Sequence, residues 1–302
     1  MKIKDLLFAA LLVAALVLGA CGGNAALPTE AASVASTELP TEPPHPTSAI
    51  VPTETATLIP LKPDSTRVEF QSADGTPLVG YYYPAAVADA PVVVLMHWAG
   101  GNQTDWNKVG LVEWLRNWSQ PAAGSAKRAA PLAGIYVPMP QGLSFAVFTF
   151  DYRGYGESGK GGPRESFIAD SVVALEQAGK MEGVDPSKVS AIGSSIGADG
   201  AADSCARFPC VGVLSLSPGS YLGFPYNEAV GLLGESGIPA WCVASEGDYE
   251  SFPTCNGASG DNFKSITYPG SAHGTAFLMD GEAPQDIGQV LLDWLTLVYE
   301  ID

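Results

Sequence analysis

Residues 91–96 (PVVVLM), 145–150 (FAVFTF), 189–192 (VSAI), 211–216 (VGVLSL) and 239–244 (PAWCVA) are near-continuous apolar runs. A strand with one wet face alternates apolar and polar residues, whereas an unbroken run of this kind is covered on both faces. Longer stretches lie between the runs, with apolar residues recurring at helical spacing: 104–118, 164–181, 196–208 and 227–237. A further strand at 264–272 precedes a closing helix at 284–300. Strands alternating with helices specify an α/β fold with a mostly parallel central sheet and helices on both faces. Residues 67–72 and 78–84 instead alternate around the turn 73–77 (ADGTP), which predicts an antiparallel hairpin at the N-terminal edge. Thr104 or Asp105 is the expected cap of the first helix. With no internal repeat, residues 64–302 read as one domain.

The N-terminus is of a different kind. A positive start, MKIK, leads into LLFAALLVAALVLGA, an apolar run too short to be a comfortable bilayer span. It ends in LGAC, residues 18–21, which resembles the lipobox of bacterial lipoproteins. That resemblance implies a signal peptide at 1–20, cleavage before Cys21 and acylation of that cysteine, so that the exported chain is anchored to a membrane. An ordinary signal peptide or an uncleaved anchor is the alternative reading. Residues 22–63 are rich in Thr, Pro, Ala, Ser and Glu without apolar periodicity, which predicts a disordered, semi-stiff tether over 21–63. His45 lies in it.

A formal charge of −17 excludes nucleic acid as an expected partner, because phosphates would be repelled. Four cysteines follow Cys21, and an exported chain with an even number of them points to disulfides. Proximity favours Cys205–Cys210 and Cys242–Cys255 over the other pairings. No CxxC pair or histidine cluster accompanies them, so no metal site is expected.

Residues 193–197, GSSIG, match G-x-S-x-G. The pattern alone is weak, but here it follows a predicted strand and opens a predicted helix, the setting a nucleophilic serine needs. Gly193 and Gly197 would relieve crowding around a strained Ser195, and the N–H of Ile196 would face a reacting oxygen. The competing reading is close packing of a small-residue helix on the sheet. A serine hydroxyl needs a base, because it is barely ionised near neutral pH. Of three histidines, His45 is in the tether and His97 directly follows a strand. His273, between Gly270 and Gly274 after the last strand, is the expected base. Asp248, after the preceding strand, is the expected carboxylate to orient it, with Glu246 and Glu250 as substitutes.

The order Ser195, Asp248, His273 on this strand–helix pattern resembles the α/β-hydrolase superfamily from about residue 68 to the C-terminus. DYRGYGES, residues 151–158, is similar to the D-x-R-G-x-G-x-S loop after the fourth strand of many members. HWAGG, residues 97–101, is similar to their "HG" loop, which supplies oxyanion-hole N–H groups. That implies Ala99 first and Trp98 second as donors beside Ile196, with Trp98 standing where the family often has glycine. His97, Asp151 and Arg153 are then expected to hold loops.

Only residues 219–238 separate the sixth and seventh strands, so the site is expected to be open, like the dienelactone-hydrolase-like members. Those commonly use cysteine, whereas this chain has Ser195. Trp98, Tyr221, Phe224 and Tyr226 are candidate pocket walls, and 119–144 is a long connection of unassigned role. The resemblance implies a serine hydrolase for small carboxylic esters that needs no cofactor. A peptidase or acyltransferase on the same residues, or a non-catalytic binding protein on the same fold, are the alternatives.

Overall fold

The computed structural model describes residues 65–117 and 134–301. Cys21, the tether and part of the 119–144 connection lie outside the described residues.

Eight strands form one sheet in the order β1-β2-β4-β3-β5-β6-β7-β8. They are β1 (Thr66–Gln71), β2 (Pro77–Tyr83), β3 (Ala90–Met96), β4 (Ala146–Asp151), β5 (Val184–Ser194), β6 (Gly212–Leu216), β7 (Ala240–Ser245) and β8 (Phe263–Tyr268). The first two strands pair antiparallel, β2 runs antiparallel to β4, and every other pairing is parallel. The N-terminal hairpin is therefore an edge, as its alternation predicts, and Gly75 supplies the positive φ of its turn.

The continuous apolar runs are buried because the sheet is covered on both sides. Along β3, Val92, Val94 and Met96 face one core while Val93 and Leu95 face the other. The first core takes residues from α3 (Ser166–Ala178), α4 (Ile196–Cys205) and α5 (Tyr226–Glu235). The second takes Trp106, Leu111, Leu115, Leu291 and Trp294 from α1 (Asp105–Lys108), α2 (Leu111–Leu115) and α7 (Ile287–Tyr299). Each large side chain so buried contributes about 1.5–3 kcal/mol of transfer free energy, an upper bound set by the unfolded reference.

Two local expectations need correction. The stretch 104–118 is not one helix: α1 and α2 are separated at Gly110, whose φ of 74° breaks the helical path. Neither Thr104 nor Asp105 caps through its side chain. Asn102 closes that turn instead, its Oδ1 accepting the Thr104 N–H at 2.9 Å, and the Asp105 carboxylate takes the indole N–H of Trp98 at 2.9 Å. An additional helix, α6 (Ser251–Gly257), follows Asp248. Its Pro253 sits in the first turn, where a missing N–H costs nothing, but the short polar sequence hides the helix from periodicity.

Both proximal cysteine pairs are bonded. Cys205–Cys210 closes the exit of α4, and Cys242–Cys255 ties β7 to α6. The second staple brackets the loop that carries Asp248.

Candidate active site

In a parallel sheet the loops leaving the carboxyl ends of the strands meet on one side, and ligands bind where the strand order reverses. Here β3 is flanked by β4 and β5, so the reversal falls beside the end of β5, where Ser195 lies. The chain turns from strand to helix through Ser195 alone, at φ 54° and ψ −116°. Such backbone costs a non-glycine residue roughly 1–3 kcal/mol and persists only where its surroundings fix it. They do. The Ser195 N–H donates to the Leu216 carbonyl at 2.9 Å, and the Ser195 carbonyl accepts the Ala198 N–H at 2.8 Å. The flanking glycines are a steric requirement of the turn. A Cβ on Gly193 would overlap the Gly197 carbonyl, and one on Gly197 would overlap the Met96 carbonyl.

Opposite, His273 follows β8 after the four residues 269–272 and precedes a 3-10 turn, Gly274–Leu278. Its Nδ1 lies 2.6 Å from Oδ2 of Asp248. Oδ1 of Asp248 accepts the Ser251 N–H at 3.1 Å. Burial works to raise the Asp248 carboxyl, but the hydrogen bonds from His273 and Ser251 outweigh it and hold the group below its ordinary range. An ionised carboxylate can only accept a hydrogen bond, so Nδ1 is the donor of this contact. The two loops are also pinned through backbone, Gly247 N–H to Gly270 carbonyl at 2.8 Å and Glu246 N–H to Tyr268 carbonyl at 2.9 Å. Asp248, and neither Glu246 nor Glu250, bonds the histidine.

Ser195 and His273 line one cavity of about 360 Å³, with Ala99, Ile196, Tyr221, Arg164 and Glu250. Among the described residues no hydrogen bond joins Ser195 Oγ to His273; bonds of this kind tighten in the complex with substrate. Ile196 opens α4, where no preceding turn supplies a carbonyl for its N–H. Ala99 lines the cavity and Trp98 does not.

Of the four aromatics considered as walls, only Tyr221 is in place. Trp98 leans on Asp105 with 38% of its surface exposed. Phe224 packs beneath the Arg207 guanidinium, 4.4 Å from its ring centre, and Tyr226 is buried in the core. Arg164, an exposed cation at the mouth of this cavity, escaped the sequence reading. The signal available was its place just before α3, on the same edge of the sheet.

His97 is fully buried, with Nδ1 2.8 Å from the Trp98 carbonyl and Nε2 accepting the Tyr152 N–H at 3.1 Å. Burial lowers its pKa, and one donor plus one acceptor is the pattern of a neutral imidazole. It ties the loop after β3 to that after β4. Asp151 accepts the Gln103 and Glu157 N–H groups. Arg153 forks onto buried Asp170 at 2.7 and 2.9 Å and also reaches Asp74 at 2.7 Å. These residues touch loops and do not line the cavity.

Behind Ser195, α4 buries two carboxyls. Asp199 accepts the N–H groups of Gly219, Ser220 and Tyr221 and so holds the loop that carries Tyr221. Burial pushes Asp199 up to about 7 against those bonds. Asp203, one turn on, is pushed up to about 8 by burial and then by the charge of Asp199. Neither of its oxygens has a hydrogen-bond partner among the described residues.

Comparison with solved structures decides the architecture. A candidate hydrolase of unknown function from Agrobacterium tumefaciens superposes with a TM-score of 0.57 at 17% identity, covering 78% of this chain and 98% of that one. A dienelactone hydrolase from Anabaena variabilis gives a TM-score of 0.54 at 14% identity, covering 78% and 97%. The esterase Pf2001 of Pyrococcus furiosus gives 0.51 at 17%, covering 76% and 93%. This is the α/β-hydrolase fold.

Sequence relatives match over shorter stretches. The uncharacterized protein YfhR of Escherichia coli is 30% identical over 136 residues, 43% of this chain and 38% of that protein. The human alpha/beta hydrolase domain-containing protein 17C is 28% identical over 105 residues, 34% of this chain and 32% of that protein. The chain thus spans about a third to two-fifths of the length of these relatives. No family model matches the sequence.

Proposed function

We propose that this chain is an exported serine hydrolase that cleaves small or medium carboxylic esters through an acyl-enzyme. The observation that carries the reading is the 2.6 Å contact of Asp248 with His273, which lines the cavity that also presents strained Ser195. In this mechanism Nε2 of His273 takes the Ser195 proton as Oγ attacks the ester carbonyl. The N–H groups of Ile196 and Ala99, with Trp98 as the second choice from the β3 loop, hold the developing oxyanion. Collapse expels the alcohol, which takes its proton from the imidazolium. Water, activated by the same histidine, then releases the acid and restores Ser195. Asp248 keeps the tautomer and balances the imidazolium without itself accepting the proton. The esterase and dienelactone-hydrolase neighbours support an ester as the substrate class.

The two disulfides support folding in an oxidising compartment. Together with the LGAC sequence they favour export and anchoring through acylated Cys21. Mass analysis of the N-terminal peptide from a membrane fraction, acylated or plain, checks the anchor.

The catalytic reading is tested by quenching the protein during turnover of p-nitrophenyl butyrate and of the matching anilide. A butyryl group on Ser195, with the ester turned over much faster than the anilide, is the expected result. Faster turnover of the anilide would move the assignment to a peptidase. Stoichiometric binding without turnover would move it to a binding protein.

A further inference from the structure

The sequence places two serines between the glycines of GSSIG, and only one of them faces the cavity. Ser194, the last residue of β5, is fully buried, and its Oγ accepts the N–H of Thr275 at 3.0 Å. Ser217, just beyond β6 and also fully buried, accepts the N–H of Gly274 at 3.0 Å. These are the two successive N–H groups that follow His273. Ser217 holds a φ of 59°, fixed by its own N–H on the Val243 carbonyl at 2.9 Å. Gly274, at φ 59°, lies so close to Ser194 that a Cβ would overlap the Ser194 hydroxyl. The segment after the histidine therefore rests directly on the strand that delivers the nucleophile.

We infer that Ser194 and Ser217 are positioning residues that set the imidazole of His273 against Ser195; this rests on the proposed roles of those two residues. The Asp248 bond fixes one ring nitrogen but leaves the ring free to swing about it. Clamping the backbone immediately beyond His273 removes that freedom. Because Ser194 and Ser195 are adjacent, base and nucleophile are referred to one rigid turn. Both N–H groups open a 3-10 turn, where no preceding carbonyl is available to them, so the buried hydroxyls also satisfy donors that water does not reach.

The test uses the full-length protein and a fluorophosphonate probe, with wild type, Ser194→Ala, Ser217→Ala and the double variant. Thermal melting of each variant is followed alongside. Displacing a catalytic group by about an ångström costs on the order of 100-fold, so each single variant is expected to slow Ser195 labelling at least tenfold and the double variant more. The low-field proton resonance of His273 Nδ1–H is expected to broaden or move in each variant. A loss of global stability alone would leave that resonance and the labelling rate of the folded fraction unchanged.

In the unaltered protein the Gly274 and Thr275 amides are expected to resist hydrogen exchange, a readout that needs no variant to fold. Wild-type labelling rates and an unmoved resonance in folded variants, or fast exchange at both amides, would overturn the clamp. Absence of labelling in the wild type would instead sink the catalytic reading, so the two failures are separable.

Discussion

The loop after β4 and the loop after β8 are built on opposite principles. Residues 151–158 are held by charge: Asp151 gathers backbone N–H groups, and Arg153 forks onto Asp170 while reaching the hairpin turn at Asp74. Around His273 the restraints are two neutral hydroxyls, one carboxylate and backbone bonds. The first loop consumes its polar groups in holding itself and turns none to the cavity. The second places its histidine in the cavity wall. The ring bonds the Asp248 carboxylate, and the backbone beyond it is held by uncharged hydroxyls. A high density of charged, well-bonded residues is thus a poor guide to which loop lines the cavity in this protein.

The largest effects are expected inside the second loop and its partner turn. Ser195→Ala and His273→Ala should each lower kcat on the order of 10⁴–10⁶-fold, measured on a chromogenic ester with the fold checked by circular dichroism. Asp248→Asn should cost about 10⁴-fold, chiefly in kcat, by disturbing the tautomer while preserving the shape. A residual rate near wild type in Asp248→Asn would shift the role to Glu246 or Glu250.

The charged loop should respond the other way. Arg153→Ala leaves Asp170 buried and unpaired, a loss of about 3–5 kcal/mol in chemical denaturation. The kcat/KM of the folded fraction should stay within a few-fold. A collapse of activity at unchanged stability would erase the contrast between the loops.

A smaller effect comes from the buried acids behind Ser195. A carboxyl whose pKa is raised in the folded state binds its proton more tightly there than in the unfolded chain, so it favours folding at low pH. That contribution is whole below the ordinary carboxylate range and is lost as pH rises through the folded values of about 7 for Asp199 and about 8 for Asp203. The component of stability due to these two groups should therefore fall between about pH 4 and 8. Asp203→Asn should flatten that slope and raise the melting temperature at pH 8 by about 3 °C. An unchanged melting profile would show that Asp203 is solvated in solution.

Much of this arrangement is readable in the chain because it is local. Continuous apolar runs marked the buried strands, and the glycines of GSSIG marked a turn whose crowding is now visible at Gly197 and Met96. Asp248 and His273, which the structure joins, follow β7 and β8 in the chain. What escaped depends on distant partners. Ser194 meets Thr275 across 81 residues and Ser217 meets Gly274 across 57, and no periodicity encodes such a bond. The break at Gly110 escaped because a glycine inside a helical pattern is tolerated at a cost and does not by itself mark a break. Phe224 and Tyr226 were misplaced because the aromatic composition of a loop does not tell pocket from core.

The first measurement is fluorophosphonate labelling of the full-length protein, with the modified residue located by mass spectrometry. If Ser195 is the nucleophile, the label falls on Ser195 alone and is lost in His273→Ala. A folded protein that takes no label, or takes it on another residue, would contradict the catalytic assignment and return the glycine-serine turn to a role in packing.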